Sequence, residues 1–259
     1  MAQHRNPTHS FSDLVEVMSI LRRECPWDRK QTHESIKDLM VEEIYEAIEA
    51  IDNKDPVELK KELGDLLLHV VFHTEIARES GDFTMEEVIY GIQEKLIRRH
   101  PHVFDQVKAD DPDTVVRNWE DLKMKEAERT SVLQGVPETL PALIQAQRMQ
   151  EKAAAVGFDW KTWEQAWPKL KEEMEEFREA MESNDASEMK KEFGDVLFSL
   201  VNVGRLAGIN VEDALRLTNK KFKRRFQKIE EVLKERDIAL KDATLEEMDE
   251  IWNTAKSDT

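Results

Sequence analysis

Glu42-Glu43-Ile44-Tyr45-Glu46, fifteen residues, then Glu62-Leu63-Gly64-Asp65 is the stretch whose reading decides the fold, because it occurs twice. The second copy is Glu172-Glu173-Met174-Glu175-Glu176, fifteen residues, then Glu192-Phe193-Gly194-Asp195, at a constant offset of 130 residues. Lys60-Lys61 and Lys190-Lys191 stand at the same place in each. A repeat at fixed period fixes domain count and internal symmetry together. Both copies read as pairs of acidic helices joined by a short turn, so the fold class is all-α: a tandem repeat of two helical-bundle domains. Residues 1–129 form the first domain, 130–141 the linker and 142–259 the second.

The helical pattern continues outward from these pairs. Residues 10–23 form a first amphipathic helix, with Ser10 or Ser12 as its cap, and Cys25-Pro26-Trp27-Asp28 breaks it. From Thr32 or His33 a helix carries Met40, Ile44, Ile48 and Ile51 at helical spacing. Pro56 opens the next, about 56 to 79, in the first turn where proline is tolerated. Leu63, Leu66, Leu67, Leu68, Val70, Val71 and Phe72 cover nearly its whole circumference, the mark of a buried helix. Gly64 and its counterpart Gly194 point to close packing at mid-helix, since glycine there costs ~1 kcal/mol relative to alanine. Further helices run from Thr84 to His100, over 114–129 with Trp119, from Trp163 to Ala180, from Glu188 to Leu206, and over 244–256 with Trp252. No strands are expected.

Composition narrows the function. The 259 residues are 40% hydrophobic and 36% charged, enough for helical cores, and no run approaches the ~18 apolar residues of a membrane span. The N-terminus lacks the apolar core of a signal peptide, and the single Cys25 excludes an internal disulfide framework, so a cytoplasmic location is expected. A net charge of −17 argues against nucleic acid as partner. A small phosphate ligand carried by a cation stays compatible with it.

Glu43 and Glu46 lie i, i+3 on one helix, and Glu62 and Asp65 have the same spacing on the next, so a short turn lets all four face one space. Glu173, Glu176, Glu192 and Asp195 repeat the arrangement. Four carboxylates there repel unless protonated or bound to cations. Oxygen-only ligands favour Mg²⁺, with Mn²⁺ also admissible, over zinc. The basic clusters Lys95-Leu96-Ile97-Arg98-Arg99 and Lys221-Phe222-Lys223-Arg224-Arg225 correspond at an offset of 126 and fit either a helix C-terminus or a phosphate site. His69 and His73 are i, i+4, but the second repeat has Ser199 and Val203 there, which favours core or interface histidines. Cys25 reads as structural, and Trp119 and Trp252 as core residues before base-stacking ones.

Glu-Glu-x-x-Glu, a spacer, then Glu-x-x-Asp resembles the all-α nucleoside triphosphate pyrophosphohydrolases. Cys25-Pro26-Trp27-Asp28, Glu62-Leu63-Gly64-Asp65-Leu66-Leu67 and Arg98-Arg99-His100-Pro101-His102-Val103-Phe104 resemble the first repeat of the MazG family, and Val156-Gly157-Phe158-Asp159-Trp160 and Lys221-Phe222-Lys223-Arg224-Arg225-Phe226 its second. The resemblance implies a homodimer that hydrolyses nucleoside triphosphates to monophosphate and pyrophosphate with Mg²⁺. It places metal ligands on the eight acids above. Nucleotide contacts fall on Lys169, Glu172, Lys191, Lys221, Arg225 and Trp252, with Glu172 as proton acceptor and Lys221 and Arg225 stabilising phosphate charge. A cation-activated water attacks the α-phosphorus. Two rivals stand beside this: a base-selective, dUTPase-like enzyme of the same superfamily, and a non-catalytic acidic scaffold for a protein partner. The second repeat, with Glu175, Asn202 and Trp252 where the first has Tyr45, Phe72 and apolar walls, is expected to carry most of the turnover.

Overall fold

Side chains that satisfy orphan backbone amides set the helix starts. Ser10 accepts from Asp13 N to open α1, Phe11–Glu24. Thr32 and Ser35 form a reciprocal capping box at α2, His33–Asp52. Asp55 accepts from Val57 N and Glu58 N, both at 3.0 Å, and Pro56 takes the first position of α3, Pro56–Ser80. Gly81, at φ +80°, ends α3 in the left-handed conformation. Thr84 and Glu87 box the start of α4, Met85–Arg99, and Pro101–Phe104 add a single turn, α5.

The computed structural model describes residues 6–105 and 131–257. The helix expected over 114–129, with Trp119, lies outside them. Helices α6, Ala142–Ala155, α7, Trp163–Ser183, α8, Ala186–Leu206, α9, Val211–Glu235, and α10, Leu245–Ser257, follow, and every regular element among the described residues is helical. Asp185 caps α8 as Asp55 caps α3, in keeping with the repeat. The chain divides into two compact units, Met1–Pro112 and Asp113–Thr259.

In the first unit α2 and α3 make the hairpin, and α1 and α4 pack on α3. Met18, Ile36, Val71, Phe72 and Met85 form the core. Arg22, almost fully buried, joins it by stacking over Phe72 while holding Glu79 at 2.5 and 3.0 Å and the carbonyls of Asp28 and Gln31. In the second unit α7 and α8 make the equivalent hairpin, α6 packs on α8, and α9 packs on α6 and α10. Ala166, Leu170 and Val203 form one core; Ile229, Leu233 and Ile251 form another under α10.

Two expectations change. Helix α3 is not buried all round: Val71 and Phe72 are, but Leu63, Leu67, Leu68 and Val70 are exposed, as are Phe193, Leu197, Phe198 and Leu200 on α8. Nor do Gly64 and Gly194 mark close packing within the chain. A Cβ added at either would meet nothing within 4 Å. The close approach falls at Gly204, where a Cβ would come to 2.5 Å from the Val211 side chain at the α8–α9 turn. All-round apolarity therefore serves two different faces, one turned to the core and one left outward.

Candidate metal centre and adjoining cleft

The hairpins bring the acids of each repeat together. On α2 and α3, one carboxylate oxygen from each of Glu43, Glu62 and Asp65 lies within 4.8 Å of the others. Glu46, one turn beyond Glu43, is exposed at the edge of the set. On α7 and α8 the trio is Glu173, Glu176 and Glu192, again within 4.8 Å: Glu176 joins where its counterpart Glu46 does not, and Asp195, the counterpart of Asp65, lines the wall of an adjoining cleft instead.

Burial makes this costly. Glu62 is 1% exposed, and Glu173 and Glu192 are also buried. Lysines compensate in part: Lys61 reaches Glu62 at 2.8 Å, Lys191 reaches Glu192 at 2.9 Å, and Lys169 holds both Glu172 and Glu173 at 2.8 Å. The hydrogen bond from Lys61 holds the Glu62 carboxyl below its ordinary range. The others are not fully relieved. Burial, then the charges of Asp65, Glu46 and Glu62, pushes the Glu43 carboxyl up, and burial with Glu173 does the same to Glu176. One oxygen of Glu62, Oε2, is buried with no hydrogen-bond partner. Crowded carboxylates with a buried acceptor to spare fit a hard divalent cation, which oxygen donors alone hold well.

Beside the second trio opens a cleft of about 850 Å³, a volume in the range of small-ligand sites. Lys169, Glu173 and Asp195 stand at its acidic end, and Met149, Ala153, Phe158, Trp160 and Phe198 give it apolar walls. Arg205 braces it, gripping Asp159 at 2.6 and 3.0 Å and the Asn202 side-chain carbonyl at 2.6 and 3.2 Å. Gln150 donates to the Phe198 carbonyl at 2.9 Å. The first unit's cleft, about 500 Å³, lies between α1, α3 and α4 and has none of that repeat's four acids in its lining.

The remaining candidates gather elsewhere or are already engaged. Arg225 stacks over Trp252 at 5.6 Å and Phe222 packs on the same ring at 5.2 Å, but Lys221, Arg225 and Trp252 do not line the cleft within the chain. Lys191 lies outside the lining as well, and Glu172 is exposed and paired with Lys169. Gln150, Asp159 and Arg205 went unread in the sequence as site residues. Arg205 stands 130 positions after Glu75, an inversion of charge inside an otherwise parallel repeat, and that was the signal available.

Comparison with known proteins gives this geometry its family. The model of the MazG nucleotide pyrophosphohydrolase domain matches residues 31–104 and again 161–229. The chain belongs to the MazG nucleotide pyrophosphohydrolase family. It is 47% identical over 250 residues to a nucleoside triphosphate pyrophosphohydrolase/pyrophosphatase MazG of Thermotoga maritima, covering 95% of each chain. It is 38% identical over 253 residues to a nucleoside triphosphate pyrophosphohydrolase of Escherichia coli K12, covering 94% of this chain and 95% of that one. It is also 50% identical to YabN of Bacillus subtilis, an uncharacterized protein of which it spans 52%. Both MazG matches enclose a complete acidic pair, so the tandem arrangement of the helical domain is a property of the family match as well as of the sequence pattern.

The raised carboxyls give a testable sign. A carboxyl whose folded pKa is raised binds its proton more tightly folded than unfolded. It favours the fold at low pH and penalises it as pH rises past the ordinary carboxylate range. A bound cation removes that penalty, so the gain in melting temperature on adding Mg²⁺ is expected to grow from pH 5 to pH 7.5. Thermal melts with Mg²⁺ and with EDTA across that range check it; a gain independent of pH would contradict the assignment.

Proposed function

We propose that this MazG-family chain hydrolyses nucleoside and deoxynucleoside triphosphates to monophosphates and pyrophosphate with Mg²⁺, Mn²⁺ serving as substitute, and that the second repeat carries most of the turnover. The observation that supports this best is the Glu173–Glu176–Glu192 trio opening onto a cleft large enough for a nucleotide. The named activity of the Thermotoga and Escherichia relatives supports the same reading.

Glu173, Glu176, Glu192 and Asp195 hold the cations in this reading, and Glu43, Glu46, Glu62 and Asp65 hold theirs in the first repeat. When bound, a divalent cation supplies positive charge to the triphosphate and acidifies water for attack at the α-phosphorus. The protein's own groups do the rest. Lys169 exchanges its grip on Glu172 and Glu173 for a phosphate oxygen, and this frees Glu172 to accept the water's proton. Lys191, Lys221 and Arg225, which lie outside the cleft lining within one chain, are the further cations assigned to the phosphates, with Trp252 stacked on Arg225. The base enters the apolar cleft between Phe158, Trp160 and Phe198. The first repeat lacks this setting: Leu39 replaces Lys169 and Phe72 replaces Asn202 at matching positions.

A homodimer completes the proposal. Exposed Leu63, Leu67 and Val70 on α3 in the first unit, and Phe193, Leu197 and Leu200 on α8 in the second, flank glycines that face open space, so each unit has an apolar face suited to a second copy. Light scattering is expected to return twice the 30.3 kDa chain mass, and Leu197→Asp to lower it. A single-chain mass for the unaltered protein would contradict it.

A panel of triphosphates with Mg²⁺, and product analysis, tests the reaction: NMP and pyrophosphate are expected, and NDP with orthophosphate as primary products would end the reading. Glu173→Gln is expected to lose about 100-fold or more in kcat/KM. Glu43→Gln is expected to lose no more than a few-fold. Equal losses would show the repeats to be equals.

A further inference from the structure

Three histidines on the first unit belong to neither the acidic trio nor the apolar core. His69 and His73 follow Asp65 on α3 at i+4 and i+8, so the three lie on one stripe. His33 opens α2, forty residues away in sequence, and returns to the same place: its Nδ1 lies 2.8 Å from Nδ1 of His73. The two rings stack in parallel, 5.1 Å between centroids and 1° between planes. The His69 ring is 6.2 Å from that of His73. His69 is 8% exposed, and its Nδ1 is buried without a hydrogen-bond partner.

Two imidazoles meeting nitrogen to nitrogen can share only one proton, because each neutral ring has one donor and one acceptor nitrogen. A hydrogen bond between them therefore accounts for His33 and His73 and leaves His69 unexplained. A metal accounts for all three. Nitrogens bound to one cation at 2.0–2.1 Å sit about 2.9–3.4 Å apart, so His33 and His73 need to part by only a few tenths of an ångström. His69 stands one turn away, its ring 6.2 Å from that of His73, and would have to change rotamer to bring a third nitrogen to the same point.

We propose that His33, His69 and His73 form a site for a borderline transition-metal cation, with Zn²⁺ as the reference ion, distinct from the oxygen-only acidic centres. Imidazole ligands select Zn²⁺, Ni²⁺ or Co²⁺ over Mg²⁺. Burial lowers the pKa of His69 against the opposing charge of Asp65, and burial with the neighbouring histidines lowers that of His73, the direction that favours the neutral, ligating imidazole. The second repeat has Trp163, Ser199 and Val203 at the matching positions, so the site belongs to the first repeat alone. Such an ion ties the first turn of α2 to the middle of α3, the two helices that present the acids. It gives the first repeat a chemistry separate from triphosphate hydrolysis.

The full chain, with millimolar Mg²⁺ filling the oxygen sites, is titrated with Zn²⁺ against a chromophoric chelator. One equivalent of Zn²⁺ per chain is expected to stay bound, and His73→Gln to weaken it about 100-fold. His33→Asn, at a half-buried position in the first turn of α2, provides a second variant whose fold does not depend on core packing. Mg²⁺-dependent hydrolysis is expected to be unchanged in both, so loss of the zinc site is separable from failure of the proposed reaction. No equivalent retained in excess Mg²⁺, or the same retention in His33→Asn as in the unaltered chain, would overturn the proposal.

Discussion

Like charges forced into one space are the constraint on which the rest of this structure depends. Three carboxylates within 4.8 Å, two of the second set and one of the first deeply buried, are unfavourable in any folded protein unless something offsets them. Lys61, Lys191 and Lys169 supply one offset from positions adjacent to or one turn from the acids they neutralise. Burial and the neighbouring acids raise the Glu43 and Glu176 carboxyls, the direction in which proton binding relieves the repulsion. Both are weaker than a divalent cation, and both are reversible. A divalent cation held there, as proposed, would offset the same repulsion more fully.

The same hairpin frame has different surroundings in its two copies. The acids and the lysine before Glu62 or Glu192 are kept, because the repulsion has to be managed wherever the frame occurs. What surrounds them is not kept. The second repeat adds Lys169, Asn202 and the Asp159–Arg205 brace, which turn the end of the hairpin into a polar-ended cleft with apolar walls. The first repeat puts Leu39, Phe72 and a histidine cluster at or near the same places. Divergence at the periphery with constancy at the acids leaves one scaffold with two different surroundings.

Most of this frame was legible in the sequence because helices advertise themselves by period and cap. Thr32, Pro56 and Thr84 marked their helices, and the offset of 130 residues related the acids of one repeat to those of the other. Apolar circumference was read less well. It reports that a residue avoids water and does not say whether the covering surface lies in the same chain, so α3 was read as buried while Leu63 and Leu67 stand exposed. The cleft was harder still. Gln150, Asp159, Lys169 and Arg205 come from separate segments, none at a telling spacing from the others, and only the packing of α6 against α8 brings them together. His33 and His73 show the same limit, meeting across forty residues of chain that no local pattern links.

In the proposed reaction the acidic centre of the second repeat directs water to the α-phosphorus of a triphosphate. Hydrolysis of ATP with Mg²⁺ in water enriched in ¹⁸O reads this directly, because the attacked phosphorus keeps the label. The expected result is label in AMP and none in pyrophosphate. Label in pyrophosphate, or in orthophosphate released as a primary product, would place the attack at another phosphorus and contradict the account.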